Sequence, residues 1–241
     1  MASPELSAPL ERNLPWRSFQ WFMQVVSCFW LRYRAAGMER ISPQSGALLL
    51  ITHQSHLDPL MVGLPLQRPI SYLARDSLFK VPLVGWMLRN TYTIPLNREA
   101  ASTSSIREAI LRAEHGFLVG IFPEGTRSED GKIGRLKPGV LALIRRTQVP
   151  VYPVGVAGTF QAFPRGSWFL RPSTVRVVFG EPLDAAHLER CDREGDPLAY
   201  IREQLEQVQQ IAEQWRQQGG AFPSMAQMPQ SSEPSQSSGA L

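Results

Sequence analysis

Two histidines and an aspartate follow a short apolar run in the segment LLLITHQSHLDPL, residues 48–60. A histidine acts as a general base when a carboxylate holds one ring nitrogen and the other faces the substrate. His53 precedes the helix expected to begin near Ser55, so a turn can fold its ring back onto the first helical turn, where Asp58 projects. His56 lies two residues from Asp58, and helical side chains at that spacing point apart. The spacing therefore favours a His53–Asp58 pair whose second imidazole nitrogen is free to face a substrate.

Asp58 also has a purely structural interpretation. Ser55 and Asp58 match a capping box, with Ser55 at the N-cap of the helix and Asp58 at its third position. An acidic side chain there suits the helix dipole, and Pro59 is tolerated in a first helical turn. The local pattern alone favours the cap, and a cap does not exclude Asp58 from orienting His53.

Three further segments offer charged groups that suit a phosphate or a polar substrate. In FPEGTRSEDG, Glu124 and Arg127 flank Gly125, which permits an unusual turn at the end of an apolar strand. Arg98, in IPLNREA, follows another strand and suits bidentate phosphate binding. Lys137, in GRLKPGV, lies at a predicted helix start, where backbone N–H groups favour an anion. Taken singly, each is equally typical of a loop with an exposed charge or salt bridge.

The order of these segments resembles that of the glycerolipid acyltransferases. THQSHLDP resembles their histidine-x4-aspartate motif, PLNR their second block, FPEGTRS closely their third, and VPVYPVGV their proline-bearing fourth. The resemblance runs from about Gly37 to Leu183 and is nearest to the bacterial 1-acyl-glycerol-3-phosphate acyltransferases. Thr52 stands where asparagine or serine is more usual, and Asn97 where many members have aspartate.

The resemblance implies acyl transfer from a thioester of acyl carrier protein or coenzyme A to the sn-2 hydroxyl group of 1-acyl-glycerol-3-phosphate, giving phosphatidic acid. His53 would be the general base and Asp58 would hold its tautomer, and the activated oxygen would attack the thioester directly. The residues expected to bind the acceptor are Arg98, Glu124, Gly125, Arg127 and Lys137. No metal ion or other cofactor is expected.

Other functions compete with this interpretation. Within the enzyme class, the acceptor could be glycerol-3-phosphate, another lysophospholipid or a lyso-aminolipid, or the acyl donor could be a phospholipid. Outside it, the chain could be a non-catalytic membrane-binding module. The motifs G-x-S-x-G, HExxH and paired CxxC are absent, which disfavours a serine hydrolase and a zinc enzyme. A net charge of +4 without a basic run gives no reason to expect a nucleic acid partner.

The elements that must position these residues follow from the apolar pattern. Short apolar runs bounded by glycine or proline alternate with helical spacing, which predicts a single α/β domain with a largely parallel or mixed central sheet flanked by helices. Strands are predicted at 47–52, 71–75, 91–96, 117–122, 149–156 and 174–180. Helices are predicted up to about residue 64, at 83–90, 102–114 and 137–146, and from 196 onward as an amphipathic helix.

Residues 1–37 are predicted to form an amphipathic helical segment at a membrane surface. The stretch 14–37 is rich in aromatic residues, but polar residues interrupt it, whereas a spanning helix needs about 20 mainly apolar residues. Aromatic side chains with flanking arginines suit a helix in the headgroup layer, although packing against the protein's own core fits equally well. The loop FPRGSWFLRP, residues 163–172, fits a second membrane contact and a loop packed on the core equally well.

The remaining residues are predicted to form one domain and a C-terminal tail. Residues 38–217 are predicted to form the acyltransferase domain, including the C-terminal amphipathic helix. Residues 218–241, rich in Ser, Pro, Gln and Gly, are expected to be a disordered tail. The N-terminal sequence does not resemble a signal peptide, so the protein is expected at the cytoplasmic face of a membrane, peripheral or monotopic.

Overall fold

The core of the protein is a seven-stranded mixed sheet. The computed structural model describes residues 18, 21, 24, 25, 27–90, 92–96 and 103–222. The strands are β1 (Arg34–Ala36), β2 (Ala47–Ile51), β3 (Ile70–Arg75), β4 (Ile94–Leu96), β5 (Leu118–Ile121), β6 (Val151–Ala157) and β7 (Arg176–Phe179). Their spatial order is β1-β7-β6-β2-β5-β3-β4.

Five neighbouring strands, β6, β2, β5, β3 and β4, run parallel to one another. Strand β2 lies between β6 and β5, with Leu48 opposite Val151 and Ala47 opposite Leu118. Strand β7 is antiparallel to β6, and β1 is parallel to β7. This arrangement confirms the predicted α/β domain with a mixed sheet.

Seven α-helices follow or separate the strands in the described residues. They are α1 (Asp58–Gly63), α2 (Pro82–Asn90), α3 (Thr103–Glu114), α4 (Gly139–Arg146), α5 (Thr159–Ala162), α6 (Ala185–Glu194) and α7 (Pro197–Gln218). Single 3-10 turns occupy Met38–Arg40 and Asp76–Lys80. None of the described helices is long and apolar enough to cross a membrane.

Both faces of the central strand are covered, which is why its sequence is continuously apolar. Leu49 and Ile51 of β2 pack on one face with Met61 and Val62 of α1. Leu48 and Leu50 pack on the other face with buried residues of α3, α4 and α7. A strand buried in this way fixes the position of the loop that follows it.

The structure corrects the end of the predicted N-terminal helical segment. The described residues between 18 and 30 are helical, but Arg34–Ala36 form β1 and pair with β7. The helix ends because Leu31 turns into the core, where it is fully buried, and Arg32 adopts a positive φ of 41°. The sheet therefore begins within residues 1–37, and residues 1–17 lie outside the described part of the chain.

The predicted disordered tail, residues 218–241, also begins later than expected. Phe222 packs edge-on against Trp215 of α7 at 5.0 Å between ring centroids. The carbonyl oxygen of Gly220 accepts a hydrogen bond of 2.6 Å from Nη1 of Arg34. These contacts attach residues 219–222 to the domain, and residues 223–241 lie outside the described residues.

Candidate active site

The residues of the candidate site follow the carboxyl ends of three adjacent parallel strands. Strands β6, β2 and β5 are neighbours, so their carboxyl ends meet at one edge of the sheet. His53 follows β2, Glu124 follows β5 and Thr159 follows β6. In open α/β sheets, ligands bind at this edge.

His53 and Asp58 form a hydrogen-bonded pair. Nδ1 of His53 lies 3.0 Å from Oδ2 of Asp58, and the side chains are 16% and 0% exposed, respectively. Oδ2 also accepts the backbone N–H groups of Gln54 at 2.6 Å and Ser55 at 2.7 Å. Because Asp58 occupies Nδ1, the other ring nitrogen, Nε2, is the one left to take a proton from a substrate.

The capping box predicted at Ser55 is only half formed. The Asp58 carboxylate accepts the N–H of Ser55 as expected, but helix α1 begins at Asp58, and Leu57 at its N-cap makes no side-chain cap bond. The hydroxyl group of Ser55 instead donates to the carbonyl oxygen of Phe163 at 2.9 Å. Ser55 therefore ties the His53 loop to the segment after β6.

His56 occupies a different environment from His53. It lies on the exposed side of the turn before α1. Partial burial is the largest effect that lowers the pKa of His56, and the charge of Arg127 lowers it further, whereas the carboxylate of Asp58 opposes them. The geometry therefore distinguishes the two histidines as the spacing predicted, because only His53 contacts Asp58.

Thr159 is a site residue that the sequence pattern did not reveal. Its hydroxyl group donates to Oδ1 of Asp58 at 2.6 Å, and both side chains are fully buried. The only available signal was the Gly-Thr pair immediately after the fourth block, at the end of a strand. That signal is weak without knowledge that β6 lies beside β2.

Glu124 supports the backbone of His53. Oε1 of Glu124 accepts the N–H of His53 at 3.0 Å, and Oε2 accepts the N–H of Gly134 at 2.7 Å. The residue is 4% exposed, and burial raises the pKa of its carboxyl group, against the opposing effect of the backbone donors Gly134 and His53. Glu124 thus holds together the loops that follow β2 and β5.

Aromatic stacking fixes the plane of the His53 ring. The ring of Phe122 lies 4.0 Å from that of His53 between centroids, with 28° between the planes. Tyr72 stacks on Phe122 in turn, at 6.0 Å between ring centroids. The imidazole is therefore held by Asp58 at its edge and by Phe122 at its face.

Of the four basic and glycine residues predicted to bind the acceptor, the structure describes three. Gly125 has a φ of +69°, and a Cβ atom there would lie 3.5 Å from side-chain carbons of Lys137, so the two residues are neighbours. Arg127 is half-buried on the His56 side of the site. Arg98 and Asn97 lie outside the described residues.

The predicted helix start at Lys137 is wrong by two residues. Helix α4 begins at Gly139, with Pro138 at its N-cap. The N–H of Lys137 donates to the carbonyl oxygen of Pro123 at 2.8 Å, which extends the non-helical loop. The exposed side chain of Lys137 lies beside the third block rather than on a helix N-terminus.

Thr52, where the sequence departs from the family pattern, has a structural contact. Its hydroxyl group donates to Oε1 of Gln209 in α7 at 2.8 Å. The same hydroxyl oxygen accepts the N–H of Val156 in β6 at 3.0 Å. Thr52 therefore joins α7 to the strands that carry the site.

No group of three or more His, Cys, Asp or Glu side chains that could hold a metal ion occurs among the described residues.

The acyltransferase family model matches residues 32–157, about half of the chain. The matched range includes His53, Asp58 and the FPEGTRS block. The chain belongs to the acyltransferase family. This membership confirms the family resemblance that the sequence motifs indicated.

Individual relatives of this acyltransferase agree with the assignment. The 1-acyl-sn-glycerol-3-phosphate acyltransferase of Bacillus subtilis is 32% identical over 176 residues, which cover 70% of this chain and 82% of that protein. The chloroplastic enzyme BAT2 of Brassica napus is 29% identical over 168 residues, and the match spans 68% of this chain and 48% of that protein. This acyltransferase thus spans about half the length of the plant relative.

A solved structure shares the fold of this acyltransferase. The crystal structure of the 1-acyl-sn-glycerophosphate (LPA) acyltransferase PlsC from Thermotoga maritima superposes with a TM-score of 0.68 at 28% identity. The match covers 81% of this chain and 78% of that chain. The similarity therefore extends over most of the α/β domain.

Proposed function

We propose that this acyltransferase transfers a fatty acyl group from a thioester to the sn-2 hydroxyl group of 1-acyl-glycerol-3-phosphate, forming phosphatidic acid. The observation that carries the proposal is the His53–Asp58 pair at the carboxyl edge of the sheet, with Nδ1 engaged at 3.0 Å. The Bacillus, Brassica and Thermotoga relatives, named as acyltransferases for 1-acyl-glycerol-3-phosphate or LPA, support this choice of acceptor.

The reaction needs one general base and no covalent enzyme intermediate. Nε2 of His53 removes the proton of the acceptor hydroxyl group while its oxygen attacks the thioester carbonyl carbon. The carbon–sulfur bond then breaks, and the imidazolium returns the proton to the departing thiolate of coenzyme A or acyl carrier protein. Asp58 stabilises the imidazolium and holds Nδ1–H in place.

The acceptor phosphate is assigned to the basic residues of the second and third blocks. Arg127, Lys137 and Arg98 supply the positive charge in this proposal, and Gly125 lets the loop turn close to the acceptor. Glu124 was expected to bind the acceptor, but its burial and its two backbone hydrogen bonds favour a positioning role.

A membrane surface is the proposed source of the acceptor, because an acyl chain anchors the lysophospholipid in the bilayer. Phe29 is 82% exposed, Trp168 96% and Phe169 65%. Nε1 of Trp30 donates to the carbonyl oxygen of Leu170 at 3.0 Å, which joins the N-terminal helix to the loop after Phe163. Exposed aromatic side chains of this kind suit the headgroup layer, and we place the protein at the cytoplasmic face.

The function is tested by thiol release from acyl-coenzyme A and acyl-acyl carrier protein across a panel of acceptors. We expect release with 1-acyl-glycerol-3-phosphate and phosphatidic acid as the product. The panel also contains glycerol-3-phosphate, other lysophospholipids and a lyso-aminolipid. A preference for one of these would replace the proposed acceptor, and turnover that requires a phospholipid donor would indicate a transacylase. No turnover with any pair would indicate a non-catalytic membrane-binding module.

A further inference from the structure

The turn after β6 places a threonine against the candidate catalytic pair. Gly158 has a φ of +90°, and a Cβ atom there would lie 2.0 Å from the carbonyl oxygen of Thr174. Only glycine fits such a position without displacing the backbone. The chain therefore enters α5 directly at Thr159, with its side chain beneath the first turn of α1.

The two carboxylate oxygens of Asp58 have different partners. Oδ2 receives three donors, from Nδ1 of His53 and the backbone N–H groups of Gln54 and Ser55. Oδ1 receives the hydroxyl group of Thr159 at 2.6 Å. Asp58 and Thr159 are both fully buried, so water does not reach this contact. A buried carboxylate oxygen that loses its donor is left with an uncompensated desolvation cost.

We propose that Thr159 is a positioning residue for the acyl transfer reaction, acting through Asp58. Its hydroxyl group fixes the rotation of the carboxylate so that Oδ2 faces Nδ1 of His53. It also supplies Oδ1 of the buried carboxylate with a hydrogen-bond donor, so that this oxygen is not left unpaired as the imidazolium forms. This inference rests on the proposed function. Thr159 lies outside the four motif blocks and beyond residue 157, where the family-model match ends.

A second contact joins the segment after Gly158 to the loop that carries His53. The hydroxyl group of Ser55 donates to the carbonyl oxygen of Phe163 at 2.9 Å. The N–H of Phe163 donates in turn to the carbonyl oxygen of Thr159 at 2.9 Å. The segment 159–163 therefore holds the His53 loop at two points, one of which is the catalytic carboxylate.

The test compares Thr159→Val, which replaces the hydroxyl group with a methyl group, and Thr159→Ser, which keeps it. We expect kcat of Thr159→Val to fall by about 10- to 100-fold with KM changed less than about threefold, since a hydrogen bond to a charged group is lost where charge develops. We expect Thr159→Ser to retain kcat within about threefold, because its hydroxyl group can still donate.

Ser173→Ala is the matched control. The hydroxyl group of Ser173 donates to the carbonyl oxygen of Gly158 at 3.2 Å, in the same turn but away from Asp58. We expect this variant to lower the melting temperature with little effect on kcat. Wild-type kcat in Thr159→Val, or an equal fall in Ser173→Ala, would overturn the proposal.

A spectroscopic measurement separates failure of this proposal from failure of the proposed function. The Nδ1–H proton of His53, assigned by its absence from His53→Gln, reports the hydrogen bond to Asp58 whether or not the chain turns over any acceptor. We expect Thr159→Val to shift or broaden this signal, and Thr159→Ser and Ser173→Ala to leave it in place. An unchanged signal in Thr159→Val would contradict the positioning role even if the acceptor panel showed no turnover.

Discussion

Glu124 illustrates how a conspicuous charged residue can act through a neighbour. It belongs to the FPEGTRS block, and its charge suggested a direct contact with the acceptor. In the structure both carboxylate oxygens face backbone N–H groups, those of His53 and Gly134. A carboxylate suits this position because it accepts two hydrogen bonds and donates none.

We predict that Glu124→Gln lowers both stability and activity despite its equal size. The amide nitrogen of glutamine is a donor, so one of the two backbone N–H groups loses its acceptor at a cost of about 1–3 kcal/mol in the free energy of unfolding. We expect kcat to fall by about tenfold or more as the His53 backbone moves. Urea denaturation and steady-state kinetics measure the two effects.

The control is Glu129→Gln in the same loop, where an exposed Glu129 pairs with Arg165. The free energy of unfolding of Glu129→Gln should stay within about 0.5 kcal/mol of the wild type.

Burial raises the pKa of Glu124, so the folded state binds a proton at this carboxyl group more tightly than the unfolded chain does. Its contribution to stability is therefore largest at low pH and is lost as pH rises through the raised pKa. Glu124→Gln should lose this pH dependence, and an unaltered profile would contradict the assigned environment.

At the scale of elements, the parallel strands explain how distant blocks form one site. The strands β2, β5 and β6 were predictable because each is a short apolar run, and the motif order indicated a shared edge. Their spatial order was not predictable from spacing alone, so the contact between Thr159 and Asp58 was missed. The strand β1 was missed because three residues at a sheet edge, Arg34–Ala36, carry no alternating pattern. The helix α6 was missed because its sequence is mostly polar.

The packing of α7 on β6 gives a prediction about these elements. A Cβ atom on Gly155 would lie 2.4 Å from the carbonyl oxygen of Val208, so the helix backbone rests directly on the strand. We predict that Gly155→Ala displaces α7 and lowers the free energy of unfolding by about 1–3 kcal/mol. Thermal or urea denaturation measures the change.

Gly139→Ala provides the comparison. Gly139 is the first residue of α4, and a Cβ atom there would have no neighbour within 4 Å. Alanine reduces the entropy of the unfolded chain and favours the helix, so stability should be unchanged or higher by up to about 1 kcal/mol. Equal stability of the two variants would show that α7 does not rest on Gly155.

At the scale of the whole molecule, the sheet order separates two exposed aromatic regions. Trp30, beside β1 and β7, joins the loop that carries Trp168 and Phe169. Trp86, which is 54% exposed, lies in α2, between β3 and the edge strand β4 at the other side of the sheet. From the sequence, the N-terminal segment and the loop 163–172 were two separate candidate membrane contacts. In the structure, the Trp30–Leu170 hydrogen bond connects them in the first region.

We predict that replacing Phe29, Trp168 and Phe169 by serine weakens binding to anionic liposomes by at least about tenfold. Each of these exposed rings contributes apolar area that is buried when the protein binds the membrane. Cosedimentation measures binding. Circular dichroism and the melting temperature should be unchanged, since the three side chains are largely exposed. These substitutions are preferable to deleting residues 1–37, which would remove β1 from the sheet.

Trp86→Ser is the control for this membrane-binding surface, and we expect it to retain liposome binding. If the triple variant bound liposomes as tightly as the wild type, the lipid-facing region would have to be assigned elsewhere. An equal loss in Trp86→Ser would instead indicate that aromatic exposure, rather than this surface, governs binding.

The most direct test of general-base catalysis compares His53→Gln with His56→Gln in the thiol-release assay, using 1-acyl-glycerol-3-phosphate as the acceptor. His53 contacts Asp58, whereas His56 lies on the exposed side of the same turn. Loss of a general base typically reduces the rate by about 10²- to 10⁴-fold, and we expect that fall in kcat for His53→Gln alone. His56→Gln should retain kcat within about threefold of the wild type, as expected for a residue outside the reaction. A folded His53→Gln variant with wild-type kcat would contradict general-base catalysis by His53.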